Sequence, residues 1–366
     1  MEVKCFNNKE NSSVCNICIV YNLIILDESG SMSSVIGQTV AGCNKTLNSI
    51  RMAAIEDEEQ RQLVSIYCFD TSNSRYLFYN TPIEDVEDLT IEKYRPNAST
   101  PLYDAIGYTV GQLKEKATDS CSIGKVTIIT DGYENASKRW DHAFVVELIE
   151  GLKQKGWVFS FMGANIDVDQ TSHSLGINNF IEFQQTDEGM KEMFECECRS
   201  LRAYSKKLSY LRRSKSFRDA SEKERFKMLG LLNENYFMED ERVAPNLLYS
   251  LSADEIFVFE SDINGFHFER EARQAVTSFG AIVGKPEGVQ GQSYAIPSIG
   301  NTFENLKIAI EKFTEYVLLH PHNKFILSAI GCGNAGYTPQ QIAPLFKKAY
   351  EFGNVYVPPI FISYVK

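Results

Sequence analysis

The string Asp27-Glu28-Ser29-Gly30-Ser31 follows directly on an apolar run at residues 19–26. It places one carboxylate and two hydroxyls on a tight turn at the C-terminal end of a strand. In an open parallel sheet, that edge is where ligands bind. Small oxygen donors at alternate positions suit a hard divalent cation, because Mg2+ or Mn2+ takes oxygens in octahedral geometry. Taken alone, an Asp-x-Ser-x-Ser string is also an ordinary turn and helix N-cap. Two further segments add to it. Pro96-Asn97-Ala98-Ser99-Thr100-Pro101 sets a Thr hydroxyl before a helix, and Ile128-Ile129-Thr130-Asp131-Gly132 sets a carboxylate at the end of another apolar strand. Turn chemistry without a metal is the competing reading of each segment.

Two Gly-rich stretches near the C-terminus carry a different chemistry. One spans residues 284–297 and holds Gly288, Gln290 and Gly291. The other is Gly331-Cys332-Gly333-Asn334-Ala335-Gly336-Tyr337, between an apolar strand and a helix. Glycines there let backbone N–H groups close around an anion, and a helix N-terminus adds a favourable dipole. Phosphate or diphosphate is the ligand such loops suit, and tight turns alone are the alternative. Nine cysteines, odd in number and scattered, do not form a disulfide framework. Cys15-x-x-Cys18 and Cys196-x-Cys198 are poorly spaced for zinc and read as reduced thiols.

Alternating strands and helices must position these groups. Strands are expected at 19–26, 63–69, 125–130, 157–163 and 180–183, with 75–79 pairing as a hairpin; helices are expected at 34–55, 102–117, 142–155 and 168–175. That order implies a doubly wound α/β sheet covered on both faces. Residues 187–232 are charged and helix-prone. They carry Arg202, Lys206, Lys207, Arg212, Arg213, Lys215 and Arg218 as a basic stretch in an acidic protein. Such a stretch is either a solvated face or a contact with an acidic partner, nucleic acid or the sibling domain. A second α/β unit follows, with strands at 255–259, 325–330 and 354–357 and helices at 269–279, 306–319 and 339–352. The expected division is an N-terminal extension at 1–14, a first domain at 15–190, a charged helical linker at 191–252 and a smaller domain at 253–366.

The three oxygen-rich segments, in this order, resemble the metal-ion-dependent adhesion site of a von Willebrand factor A domain, over roughly residues 15–190. The resemblance implies a Rossmann-like, mainly parallel sheet. It implies that Ser29, Ser31 and Thr100 contact a Mg2+ or Mn2+ ion directly, with Asp27 and Asp131 binding directly or through water. An open coordination position would then take an acidic residue of a protein partner. The segment 253–366 is similar to a bacterial and phage branch of macro-like domains, through 287–297 and 328–337. That likeness implies recognition of ADP-ribose or a related nucleotide. Asp262, Asn264, Gly288, Gln290, Gly291 and residues Gly331, Cys332, Gly333, Asn334, Ala335, Gly336 and Tyr337 would line the site. It also implies a setting in bacterial or phage conflict or stress. Where that branch carries a small Gly-rich turn, this chain has Phe268, Glu269 and Glu271, which crowd or repel a diphosphate if they face the pocket.

Composition bounds what remains. At 366 residues the chain has room for two or three cores, and a net charge of −11 argues against a general nucleic-acid binder. No run approaches the roughly 18 apolar residues of a membrane span, and residues 1–8 lack a signal peptide's apolar core. A cytoplasmic location is the expectation. No Ser/His/Asp or Cys/His constellation is present to assign a catalytic residue, and His267 and Asp262 are the nearest to a base. Three functions stand open: a two-site binding protein, an ADP-ribosyl hydrolase recruited by its first domain, and a scaffold whose nucleotide pocket has degenerated.

Overall fold

The computed structural model describes residues 17–233, 236–237, 242–245, 248, 250–268 and 270–366. The N-terminal extension expected at 1–14 lies outside the described residues, as does part of the linker expected at 191–252.

The first sheet consists of β1 (Cys18–Asp27), β2 (Gln60–Phe69), β3 (Arg75–Pro82), β4 (Ser122–Thr130), β5 (Val158–Gly163) and β6 (Asn179–Glu182). Their order is β3-β2-β1-β4-β5-β6, and all pairs are parallel except the β2–β3 hairpin. β1 is central and is apolar at nearly every position because both of its faces are covered. Successive side chains alternate between faces. Leu23 and Ile25 therefore meet α2 (Leu102–Lys114), α3 (His142–Lys153) and α4 (Val168–Ser174). Ile24 and Leu26 meet α1 (Ile36–Glu56) and α5 (Asp187–Arg213).

Helix α5 runs unbroken through the expected boundary at 190. Its first turns pack on α1 so closely that Gly42 lies under the Phe194 ring, where a Cβ would fall 1.9 Å from Cδ2. Further along, Tyr204, Leu208 and Leu211 join a core that holds Cys18, Val20 and Val158 of the first sheet together with Phe313 and Val317 of the second unit. The basic stretch is divided by this packing. Lys207 and Arg212 are buried, Arg213 pairs with Asp57 at 2.8 Å and Glu59 at 3.1 Å, and Lys206 reaches Glu351 at 2.8 Å. The sibling domain is thus one of its contacts. Short helices α6 (Lys215–Asp219) and α7 (Glu222–Leu231) follow, the latter opened by a Ser221/Glu224 capping box.

The second sheet has β7 (Glu255–Asp262), β8 (Gly288–Gln290), β9 (Ser293–Ile299), β10 (Lys324–Leu327) and β11 (Val355–Tyr356), in the order β11-β10-β7-β9-β8. Only β8 is antiparallel to its neighbour. Helices α8 (Arg270–Phe279), α9 (Phe303–Leu319), α10 (Pro339–Ile342), α11 (Lys347–Glu351) and α12 (Ile362–Val365) complete it. Two expectations change here. The stretch 284–297 is largely the β8–β9 hairpin, and β9 lies beside the central strand β7. The helix expected at 339–352 is broken by a 3-10 turn at Ala343–Phe346, because Pro344 has no N–H for an α-helical bond.

The Gly42–Phe194 contact gives a direct test. Gly42→Ala is expected to destabilise the chain by about 2–3 kcal/mol, since overpacking the helix pair outweighs better helix propensity. Gly37→Ala, on the same helix with open space around it, is expected to stabilise by about 0.5–1 kcal/mol. Urea denaturation of both variants checks the pair; equal effects would mean that α1 and α5 do not interlock this way.

Candidate functional site

The strand order turns back at β1 and β4: the chain builds β2 and β3 on one side of β1, then crosses to β4, β5 and β6 on the other. Ligands bind outside the carboxyl ends of strands at such a switch point. Asp27 ends β1, and Asp131 follows β4 directly. Both side chains are buried.

The oxygens of the first segment form a connected group. Ser29 N donates to Asp27 Oδ1 at 2.7 Å, Ser29 Oγ and Ser31 Oγ are 3.1 Å apart, and Ser31 Oγ donates to Asp131 Oδ1 at 2.6 Å. Thr100 is buried and arrives from a loop fixed by Asn135. The Thr100 N–H donates to Asn135 Oδ1 at 3.0 Å, and Asn135 N donates back to Thr100 O at 3.2 Å. Gly132 lets the hydroxyl approach, because a Cβ there would lie 3.1 Å from Thr100 Oγ1. Ala98, on the same loop, adopts φ +58° and offers its carbonyl to Gly30 N at 3.1 Å. That left-handed backbone costs an alanine about 1–2 kcal/mol, a cost typical of functional loops.

Four supporting residues carry no signal in the sequence pattern that marks the site. Thr130 Oγ1 donates to Asp27 Oδ2 at 2.5 Å. Gln185 Nε2 donates to Asp131 Oδ2 at 2.6 Å and to Ser31 O at 2.8 Å, while its Oε1 accepts from Asn165 at 2.5 Å. Glu28 is fully buried; Arg75 forks onto both of its oxygens, and Arg95 N donates to it as well. Thr130 and Glu28 stood within segments the sequence had singled out, Thr130 at a position assigned to the strand and Glu28 between Asp27 and Ser29; Gln185 and Arg75 lay outside them.

Both strand-end carboxylates are desolvated. Burial pushes the Asp27 carboxyl up to about 6, against the hydrogen bonds from Thr130 and Ser29, and the nearby Asp131 charge adds to the rise. Burial also raises Asp131, opposed by Ser31. Among the described residues no three His, Cys, Asp or Glu side chains converge. The donor set here is two carboxylates with three hydroxyls, all hard oxygens, which fits Mg2+ or Mn2+ better than zinc.

The second sheet reverses between β7 and β10, and the loop 331–337 stands at that point. Its glycines serve the turn: Gly331 and Gly336 have φ of +78°, and Tyr337 N and Gly336 N are bonded within the loop. One anion already touches it. Glu260 Oε1 accepts from Gly331 N at 3.1 Å and from Ser298 Oγ at 2.5 Å, and a Cβ on Gly333 would lie 3.2 Å from Oε2. Cys332 is half-buried; burial raises its thiol, and Glu260 adds to the rise. Asn334 is exposed and Ala335 half-buried. Tyr337 OH reaches Asn301 O at 3.4 Å.

Beside this loop is a cleft of about 370 Å³ that includes Glu260, Asp262, Asn264, Phe268 and Gly300. Asp262 caps the turn after β7, accepting from Asn264 N, Phe266 N and His267 N. Phe268 does face the cleft and is 70% exposed. Residues Gly288, Gln290 and Gly291 are not on its lining. Gln290 is buried and braces the preceding loop through Ile282 N and Lys285 O, and Gly291 lies against Gly280 at the end of α8. His267 is buried, with Nδ1 near Ser261 Oγ and Nε2 at Ile282 O.

No family model matches the sequence, and no curated protein does. Solved structures do match the fold. Structures named as von Willebrand factor A domains are among them. A von Willebrand factor type A protein from Catenulispora acidiphila is 12% identical at a TM-score of 0.37, over 51% of this chain and 43% of that one. The manganese-loaded TRAP protein of Plasmodium vivax is 16% identical at 0.34, over 50% and 75%. The vWF domain of the type V pili tip protein Mfa5 from Porphyromonas gingivalis is 9% identical at 0.34, over 50% and 95%. The likeness is one of fold and covers about half of this chain.

The burial of Asp27 has a measurable consequence. Its folded value of about 6 lies above the ordinary 3.8, so the metal-free fold loses stability as pH rises from about 4 through 6. Asp27→Asn is expected to stabilise the metal-free protein by about 1–3 kcal/mol at pH 7 and by nearly nothing at pH 4. Thr130 can accept from the new amide while donating to Gly132 O, 3.1 Å away. Denaturant titrations at the two pH values check this; a destabilised variant at pH 7 would contradict it.

Proposed function

We propose that this chain is a two-site binding protein. At the first site Asp27, Ser29, Ser31, Thr100 and Asp131 hold Mg2+ or Mn2+, and the ion takes a carboxylate of a protein partner at its open position. At the second, the crevice between β7 and β10 receives a nucleotide of the ADP-ribose class, over the loop 331–337 and beside Asp262 and Asn264. The observation that carries the first assignment is the pair of buried carboxylates on adjacent strand ends, linked through Ser29 and Ser31. A divalent ion offsets their desolvation and mutual repulsion, and among the described residues no hydrogen-bond partner of either carboxylate carries a positive charge.

The second assignment rests on the position of the loop at the reversal of strand order and on its glycines. Binding is preferred to hydrolysis for a specific reason: both ring nitrogens of His267 are engaged inside the fold, by Ser261 and Ile282, so it is badly placed as a base.

Calorimetric titration of Mg2+ or Mn2+ into the metal-free chain tests the first site. Saturable binding is expected, reduced at least tenfold in Thr100→Ala and abolished in Asp27→Ala, with the fold retained. Binding unchanged in both variants would sink the assignment. For the second site, ADP-ribose is expected to bind the native chain and not Gly333→Asp, whose carboxylate would add bulk and charge beside Glu260. Undiminished affinity in that variant would mean that the loop 331–337 is not the site.

A further inference from the structure

We propose that the cleft between the middle of α5 and α11 binds a ligand carrying two or more linked phosphoryl groups. Its lining shares no residue with either site above, and the inference depends on neither reading. The cleft has a volume of about 400 Å³. Arg199, Arg202, Lys206, Arg242 and Lys347 line it, against the one carboxylate side chain of Glu351 among the described residues. Lys366 is also on the lining, and its main-chain oxygen accepts from the Lys347 ammonium at 2.9 Å. The chain as a whole has a net charge of −11, so this positive charge is concentrated in one place.

Helix periodicity and strand pairing bring these cations together. Arg199, Arg202 and Lys206 follow an i, i+3, i+7 spacing, so they share one face of α5. Seven residues of helix rise carry that row over about 10 Å. These three and Lys347 are exposed, whereas Arg242 is 4% exposed and still on the lining. The Arg242 main chain is pinned beside β11: Val357 N donates to Arg242 O at 3.1 Å, and Ala244 N donates to Val357 O at 2.8 Å. Its guanidinium lies 4.2 Å from the Tyr350 ring centroid and donates from Nη2 to Tyr350 O at 2.6 Å. Lys207 stands one turn beyond Ala203 of the cleft wall, on the same face of α5. It is 5% exposed, and no hydrogen bond or ion pair engages its ammonium among the described residues. Burial, with Arg242 beside it, lowers that ammonium to about 7.

The lining selects the occupant. Three of its cations are arginines, whose guanidinium groups present fixed forks of N–H donors that match phosphoryl oxygens. A row of cations about 10 Å long exceeds one phosphoryl group and suits a short chain of them. The volume is that of a small-molecule site and leaves no room for a nucleic-acid duplex. Arg242 and Lys207 are buried cations within electrostatic reach of each other. A polyanion in the cleft offsets both their desolvation and their mutual repulsion.

The test is calorimetric titration of sodium tripolyphosphate, and separately of ATP, into the metal-free full chain at about 0.15 M salt. Inorganic phosphate and citrate serve as comparisons, and the series is repeated in Gly333→Asp to remove the loop 331–337 as an alternative site. One-to-one binding of tripolyphosphate is expected, at least about tenfold tighter than that of phosphate or citrate. The exposed changes Arg202→Glu and Lys347→Glu are each expected to weaken it at least about tenfold. Lys191→Glu makes the same change of charge on α5 away from the cleft and is expected to alter it less than about twofold. Tighter binding of ATP than of tripolyphosphate would support a nucleoside polyphosphate as the ligand, and equal binding would support the phosphate chain itself. No saturable heat with either compound, citrate binding as tightly, losses no greater in Arg202→Glu and Lys347→Glu than in Lys191→Glu, or loss of binding in Gly333→Asp would overturn the proposal.

Discussion

Desolvation of Asp27 is the constraint around which the first domain is arranged. A carboxylate at the end of a central, two-sided strand has little water, and the adjacent strand end brings a second one. Each supporting feature moderates that situation. Ser29 N and Thr130 donate to Asp27, Ser31 and Gln185 donate to Asp131, and Glu28, which must also be buried, is matched by the Arg75 fork. Hydrogen bonds alone leave Asp27 raised, so the site is stabilised further by any ligand that brings positive charge. The fold tolerates the cost because the surrounding strands and helices bury enough apolar surface to hold the loops in place.

Helix α5 ties this edge to the rest of the molecule. It begins two residues after Gln185, interlocks with α1 at Gly42, and ends in the core shared with the second sheet. Midway, Glu197 forms a buried ion pair with Lys125 of β4 at 2.6 Å, with Thr127 and Tyr236 also on the same oxygen. A pair so deep contributes little net stability compared with apolar residues of the same shape, yet breaking it is costly. Its effect is to fix the register of α5 on the sheet, which fixes where Gln185 stands. The second unit is therefore joined to the first by packing and not by a loose tether.

In the second unit, glycine does two different jobs. At Gly291 and Gly280 it permits close backbone contact between a hairpin and a helix end. At Gly331 and Gly336 it permits the left-handed turns of a loop at the reversal of strand order. At the second place the carboxylate of Glu260 is in contact with the loop.

What the sequence determined by itself was local. Alternating apolar runs fixed the strands and helices of the first domain to within a few residues, since strand and helix periods are visible along the chain. The oxygen-rich turns at Asp27, Thr100 and Asp131 were legible because strand ends and small polar residues adjoin in sequence. The hairpin β8–β9 was hidden by its glycines and by Pro297, which read as a loop until pairing with β7 was seen. Only the tertiary structure decided which helix covers which face, and that α5 belongs to both units. It alone brought Gln185, Thr130, Asn135 and Arg75 to the edge that carries Asp27 and Asp131. Those contacts span from tens of residues to more than a hundred, and no local pattern encodes a partner so far away.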